Sequence, residues 1–169
     1  MEQQVPTSLH DFFITLGGGA AALLGLLFVS VSINVRRVIE HEDTKQLARQ
    51  TFLSFVAALL YALYALLPQP VPQLGLPVTV TGAIFAMLVA PRFLGSFVRE
   101  TGHIPRHLQL LRFGIGLGLQ LGAVAAGVEL LRGNAGALSW LIAIEFALLA
   151  GAARNSWDLL LELGRHPKA

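Results

Sequence analysis

Charge is confined to a few short patches in this chain, and between them lie five apolar stretches of a length that only a lipid bilayer readily accepts. A spanning helix needs roughly 20 apolar residues. Candidates run over residues 12–35, 51–67, 76–98, 108–131 and 137–155. Hydrophobic residues make up 54% of the chain and charged ones 13%, about half the usual charged share of roughly 25%. A soluble domain of this length cannot hide so much apolar surface. The expected fold is therefore an all-α integral membrane protein with five transmembrane helices in a single membrane domain. The alternative is four spans plus a re-entrant or kinked third segment, because Pro91 and Arg92 interrupt that stretch.

The breaks between segments are legible. "PQPVPQLGLP" (residues 68–77) reads as a non-helical connection, since each proline removes a donor and clashes with the preceding turn. "RGNAG" (residues 132–136) reads as a tight turn, which makes the fourth and fifth segments antiparallel neighbours. Residues 36–50 and 99–107 read as polar loops, the first of them helix-prone, and residues 156–163 as an interfacial helix carrying Trp157. With five spans, eleven of the twelve basic residues fall on one side and Arg132 alone on the other. The positive-inside rule then puts the N-terminus outside and the C-terminus in the cytoplasm. No Lys or Arg precedes Arg36, so the first segment lacks the basic start of a cleavable signal peptide.

Glycine is the second signal. In "FGIGLGLQLGAVAAG" (residues 113–127), Gly116 and Gly118 fit the start of a dinucleotide-binding G-x-G-x-x-G, but Leu121 occupies the third place and no strand precedes it. The spacing that holds is four: Gly114, Gly118, Gly122, Ala126. Residues four apart share a helix face, and such small-residue rows let helices approach closely in lipid. Similar rows are Ala143, Ala147 and Gly151 in the fifth segment and Gly17, Ala21 and Gly25 in the first. These form a glycine-zipper-like packing face, within the chain, between copies in a homo-oligomer, or against another membrane protein.

Polar residues inside apolar spans are rare and often functional. Glu145 and Glu129 lie in the two arms of the final hairpin, where a carboxylate pair could hold a proton or a cation. Gln120, midway along the fourth segment, calls for an interhelical partner. Ser30 and Asn34 share a face near the end of the first. Together Glu145, Gln120, Glu129, Ser30 and Asn34 are the candidate polar path. Arg132 stands three residues from Glu129 and can pair with it locally.

The chain has no cysteine, and its net charge of +2 is too small to suggest a nucleic-acid partner. His103 and His107 have metal-pair spacing, but Pro105 lies between them. No catalytic or cofactor motif is present, so neither an enzyme, a metal site nor a cofactor is expected. The stretches "LHDFFITLGGGAAALLGLLFVSVSINVRRV", "RQTFLSFVAALL" and "GAARNSWDLLLEL" resemble a group of small, largely uncharacterised bacterial multi-span inner-membrane proteins, some of them labelled modulators of a membrane-bound AAA protease. That resemblance implies a bacterial inner-membrane setting and supplies no site residues. The expected function is a small homo-oligomeric channel or transporter for an ion or small solute. The alternative is an accessory or scaffold subunit of another membrane complex.

Overall fold

The computed structural model describes residues 7–98 and 106–164. It is all-helical there, in the order α1 (Thr7–Ile33), α2 (Val35–Glu40), α3 (Glu42–Leu66), α4 (Val71–Val98), α5 (Arg106–Leu131) and α6 (Ala137–Gly164). Five of these, all but the short α2, are long and apolar enough to cross a membrane. The outer surface suits lipid, with Leu26, Phe28, Val29, Ile84, Met87, Ile115 and Phe146 all exposed.

Two sequence boundaries move. Residues 36–50 are largely helix rather than loop. Asn34 breaks the helix and α2 follows at once; after a single extended residue, His41, α3 begins at Glu42. No proline or glycine interrupts residues 42–66, and Glu42 accepts from both Lys45 (3.3 Å) and Gln46 (3.4 Å), so the polar start continues directly into the apolar span. At the other end of the molecule, α4 starts at Val71 inside the proline-rich stretch that reads as a connection. Pro72 falls in the first turn, where no N–H bond is missed. Pro77 lies in the interior and forfeits one bond early in the helix, where Gln73 is exposed. The third segment is one continuous helix through both Pro77 and Pro91, and its residues 71–91 are long and apolar enough to cross a membrane. Residues 99–105, with Arg99 and His103, lie outside the described residues, and α5 is already helical at Arg106 and His107.

The α5–α6 turn is as expected. Gly133 takes φ +83°; its N–H donates to Leu130 O (2.9 Å), and Asn134 N–H donates to Glu129 O (3.0 Å). These two bonds satisfy the last carbonyls of α5 and require a residue that tolerates the left-handed region. The Asn134 side chain then accepts from Gly136 N–H (3.1 Å) at the entry to α6.

Helix α3 occupies the middle, packing on α1, α4 and α6. The main core joins Ala57, Ala58 and Tyr61 of α3 to Leu74 and Val78 of α4, Ala123 and Leu130 of α5, and Leu141 and Leu148 of α6. A second cluster lets α2 tuck Val38 against Leu47, Phe55 and Leu159. A third places Phe13 of α1 on Ala62 and Ala65 of α3.

The tightest seam is α4–α5, not the α5–α6 hairpin that the short turn suggests. A methyl group at Gly75 would sit 2.5 Å from both Gly127 O and Leu131 N, and one at Gly127 would lie 2.7 Å from Thr79 N and 2.9 Å from Gly75 O. Gly82 approaches Gln120 O and Val124 N at 3.1 Å in the same sense. Here the two backbones touch, and only glycine permits it.

Candidate functional site

A helix interior within lipid offers few partners to a polar side chain, so each one has to find its own. Hydroxyls turn back on their own helices. Thr51 donates to Leu47 O (2.8 Å), Thr79 to Gly75 O (2.8 Å) and Ser156 to Ala152 O (3.0 Å). Tyr64 of α3 and Thr81 of α4 share a hydrogen bond of 3.2 Å. Gln120 finds the interhelical partner its depth requires. Tyr61 Oη of α3 donates to Gln120 Oε1 of α5 at 2.7 Å, both residues being buried. The partner lies in the same chain.

Glu145 is different. It is fully buried on the inward face of α6, among Leu141, Ile144 and Leu148. Neither carboxyl oxygen has a hydrogen-bond partner. The Tyr61 phenol lies near enough for the two to interact electrostatically. Glu145, Tyr61 and Gln120 therefore form one polar group inside an otherwise apolar core, contributed by α6, α3 and α5.

Two exposed tryptophans on α6, Trp140 and Trp157, bracket this group along the helix. Seventeen residues of helix separate them, about 25 Å at 1.5 Å per residue. That is close to the hydrocarbon thickness of roughly 30 Å, at whose edges tryptophan concentrates. Glu145 lies five residues from Trp140, about 8 Å along the helix axis.

The remaining candidates do not join this group. Glu129 sits at the end of α5, where Arg132 Nη1 donates to Oε1 (2.6 Å) and Asn134 Nδ2 to Oε2 (3.3 Å). The hairpin expectation of a Glu129–Glu145 pair is thus corrected: the turn supplies Glu129 with a cation and an amide, while neither Glu145 oxygen has a hydrogen-bond partner. Asn34 donates from Nδ2 to Ser30 O (3.0 Å), closing the end of α1 over the last turn. Ser30 and Asn34 mark a helix break, not the wall of the Glu145 group.

The small-residue rows also separate. Gly17 packs inward, a methyl there reaching Ala62 Cβ at 3.2 Å; one at Gly122 would meet Ile144 Cδ1 at 3.3 Å, and one at Gly114 the Phe93 ring at 3.3 Å. Ala126 is fully buried. Gly118, Gly25 and Gly151 meet nothing within 4 Å, and Ala21, Ala143 and Ala147 are exposed. Within this chain those six positions face outward.

Tyr61 and the pair Gly75 and Gly82 are the residues that sequence reasoning missed. Tyr61 sits in the apolar text "LLYALYALL", three residues before Tyr64. The signal available was that a tyrosine in mid-span needs an acceptor, and Gln120 needs a donor. Comparison with known proteins returned no match: no protein family, no curated protein and no solved structure.

Proposed function

We propose that this chain is a multi-pass protein of a bacterial inner membrane, with its N-terminus outside and its C-terminus in the cytoplasm, that assembles with copies of itself and moves an ion or small solute. The carrying observation is Glu145, a carboxyl group fully buried in an apolar core with no partner for either oxygen. Such a group opposes folding unless something binds it, and intramembrane acids commonly mark ion or proton routes. Orientation follows from the exposed Arg36, Arg49 and Arg154 at the α1–α3 and α6 ends opposite Arg132. The outward row of Gly118, Ala143, Ala147 and Gly151 supplies surface for contact between copies.

Two measurements test this reading. Native mass spectrometry in mild detergent should give a discrete homo-oligomer. In proteoliposomes, Glu145→Gln should abolish flux of the transported ion while leaving that oligomer intact. Unchanged flux in the variant, or none in the parent, removes the reading.

A second reading, an accessory subunit binding another membrane protein, is favoured by one observation. Glu129 and Asn34 are both held locally, so they do not extend the Glu145 group toward either membrane face. This reading expects Gly118→Leu to abolish co-purification of the partner. Retention of every partner would count against it.

A further inference from the structure

Glu145 raises a narrower question: what can a carboxyl at this position hold? Left as a bare carboxylate in an apolar core, it would carry an uncompensated desolvation penalty. A metal cation could neutralise it, but a dehydrated hard cation wants a shell of roughly six oxygens. Transport sites for such ions usually obtain those oxygens by unwinding a helix and freeing its carbonyls. Here α3, α5 and α6 run unbroken past the site, so their carbonyls are engaged in the helices. Tyr61 Oη and Gln120 Oε1 are already bonded to each other, Tyr64 Oη and Thr81 Oγ1 likewise, and neither Glu145 oxygen has a hydrogen-bond partner. A cation shell would have to break these pairs to gather its oxygens, whereas a proton needs only the carboxyl itself.

We infer that Glu145 is an occluded proton-binding site, carried as the neutral acid between α3, α5 and α6 and exchanging with the membrane face at the Trp140 end. This rests on the transport reading above only for its purpose; the site itself stands on burial and the absence of partners. The Trp140 end is nearer, about 8 Å against about 18 Å to Trp157. Other titratable groups at this end are the Glu129–Arg132 pair of the α5–α6 turn and, on α1, Asp11 and His10. His10 of α1 has its Nδ1 atom buried without a hydrogen-bond partner, in the turn where Leu9, Phe12 and Phe13 meet Leu66 of α3 and Ile142 of α6. Phe12 and Phe146 touch there, ring centroids 5.5 Å apart, which sets the start of α1 level with Glu145. Tyr61 of α3 interacts electrostatically with the carboxyl, with Tyr64 one turn on, Gln120 bonds Tyr61 from α5, and α6 itself places no other charged residue between Trp140 and Arg154.

A hydrophobic carbodiimide, dicyclohexylcarbodiimide, reads this state directly. It takes the acid's proton on one nitrogen, the carboxylate oxygen bonds to its central carbon, and the acyl group then migrates to nitrogen as a stable N-acylurea. Full-length protein in liposomes is treated with the reagent, and the modified peptide is found by mass spectrometry. The expected result is modification at Glu145 and not at the ion-paired Glu129. Its rate should fall roughly tenfold per pH unit above the group's titration point and be equal in sodium chloride and choline chloride. No modification at Glu145 in folded protein overturns the proposal. Protection by sodium overturns it in favour of a cation site. Glu145→Asp, which keeps the acid, should still label if Glu145→Gln proves unstable, and failure of that variant to label while folded also overturns it. Labelling with the expected pH dependence but without any proton flux upholds the site and removes the transport reading, so the two fail separately.

Discussion

Two sets of glycines in this molecule look alike in sequence and have opposite surroundings. Gly75, Gly82 and Gly127 lie on the α4–α5 seam, where an added methyl would meet backbone atoms of the facing helix at 2.5 to 3.1 Å. Gly25, Gly118 and Gly151 lie on α1, α5 and α6, where it would meet nothing within 4 Å. The first set is spent on the fold. The second leaves smooth outward surface that the single chain does not use. Small residues at helical spacing therefore identify a face, and the neighbouring helix must be found by other means.

The strongest way to break this comparison is to place a branched side chain in the inner seam. Gly75→Val should abolish folding or destabilise the bundle by more than about 3 kcal/mol, because the clash is with backbone that cannot rotate away. Thermal denaturation in detergent, followed by circular dichroism, would show it; an unchanged melting temperature would mean the seam is not as close as described. A graded series sharpens the point. Alanine gains about 0.5–1 kcal/mol over glycine within a helix, so the sign at each site depends on what the methyl meets. Gly75→Ala should lose about 1–3 kcal/mol. Gly82→Ala, with a 3.1 Å approach, should lose less, and Gly151→Ala should be neutral or slightly stabilising. Any other order of melting temperatures would break the link between close approach and stability.

The polar core supplies a middle term. Tyr61→Phe removes the donor to Gln120 Oε1 and leaves a buried amide oxygen without it. Interhelical hydrogen bonds in lipid average about 0.6 kcal/mol, with an upper range near 2, so a loss of about 1 kcal/mol is expected. The double variant Tyr61→Phe with Gln120→Leu should recover part of it, since both polar groups are then gone. Failure to recover any would show that the two side chains do not act on each other.

How far these features were readable follows from their range along the chain. The five spans were legible because composition over roughly 20 residues decides them, and the Gly133 turn because its requirement is local. The inner seam was not. Successive residues in an α-helix turn by about 100°, so steps of four drift by about 40° each. The row Gly114, Gly118, Gly122, Ala126 thus winds from the Phe93 ring of α4 toward Ile144 of α6 and the core. The positions that stay with α4 are Gln120, Val124, Gly127 and Leu131, alternating steps of four and three, and their partner Gly75 sat in text that two prolines made look like a loop. Gln120 was legible as an amide needing a partner. Its partner Tyr61 was not, because a bond spanning 59 positions leaves no local trace.

The smallest effect on the chain's own stability belongs to the outer set, and it separates the two functional readings. Leucine at Gly118 or Gly151 points away from every neighbour, so melting of the isolated chain should change by no more than about 0.5 kcal/mol. The same leucines project from a surface that is otherwise smooth, where another helix could approach as closely as α5 approaches α4. If copies associate there, Gly118→Leu or Gly151→Leu should convert the oligomer to monomer in native mass spectrometry with melting unchanged. If a different protein docks there, the parent chain is already monomeric when purified alone, and the leucines instead eliminate its co-purified partner. A variant that keeps both its oligomer and its partners would show that lipid alone covers this face, and the inner and outer glycines would then differ only in that one set builds the fold and the other is tolerated by it.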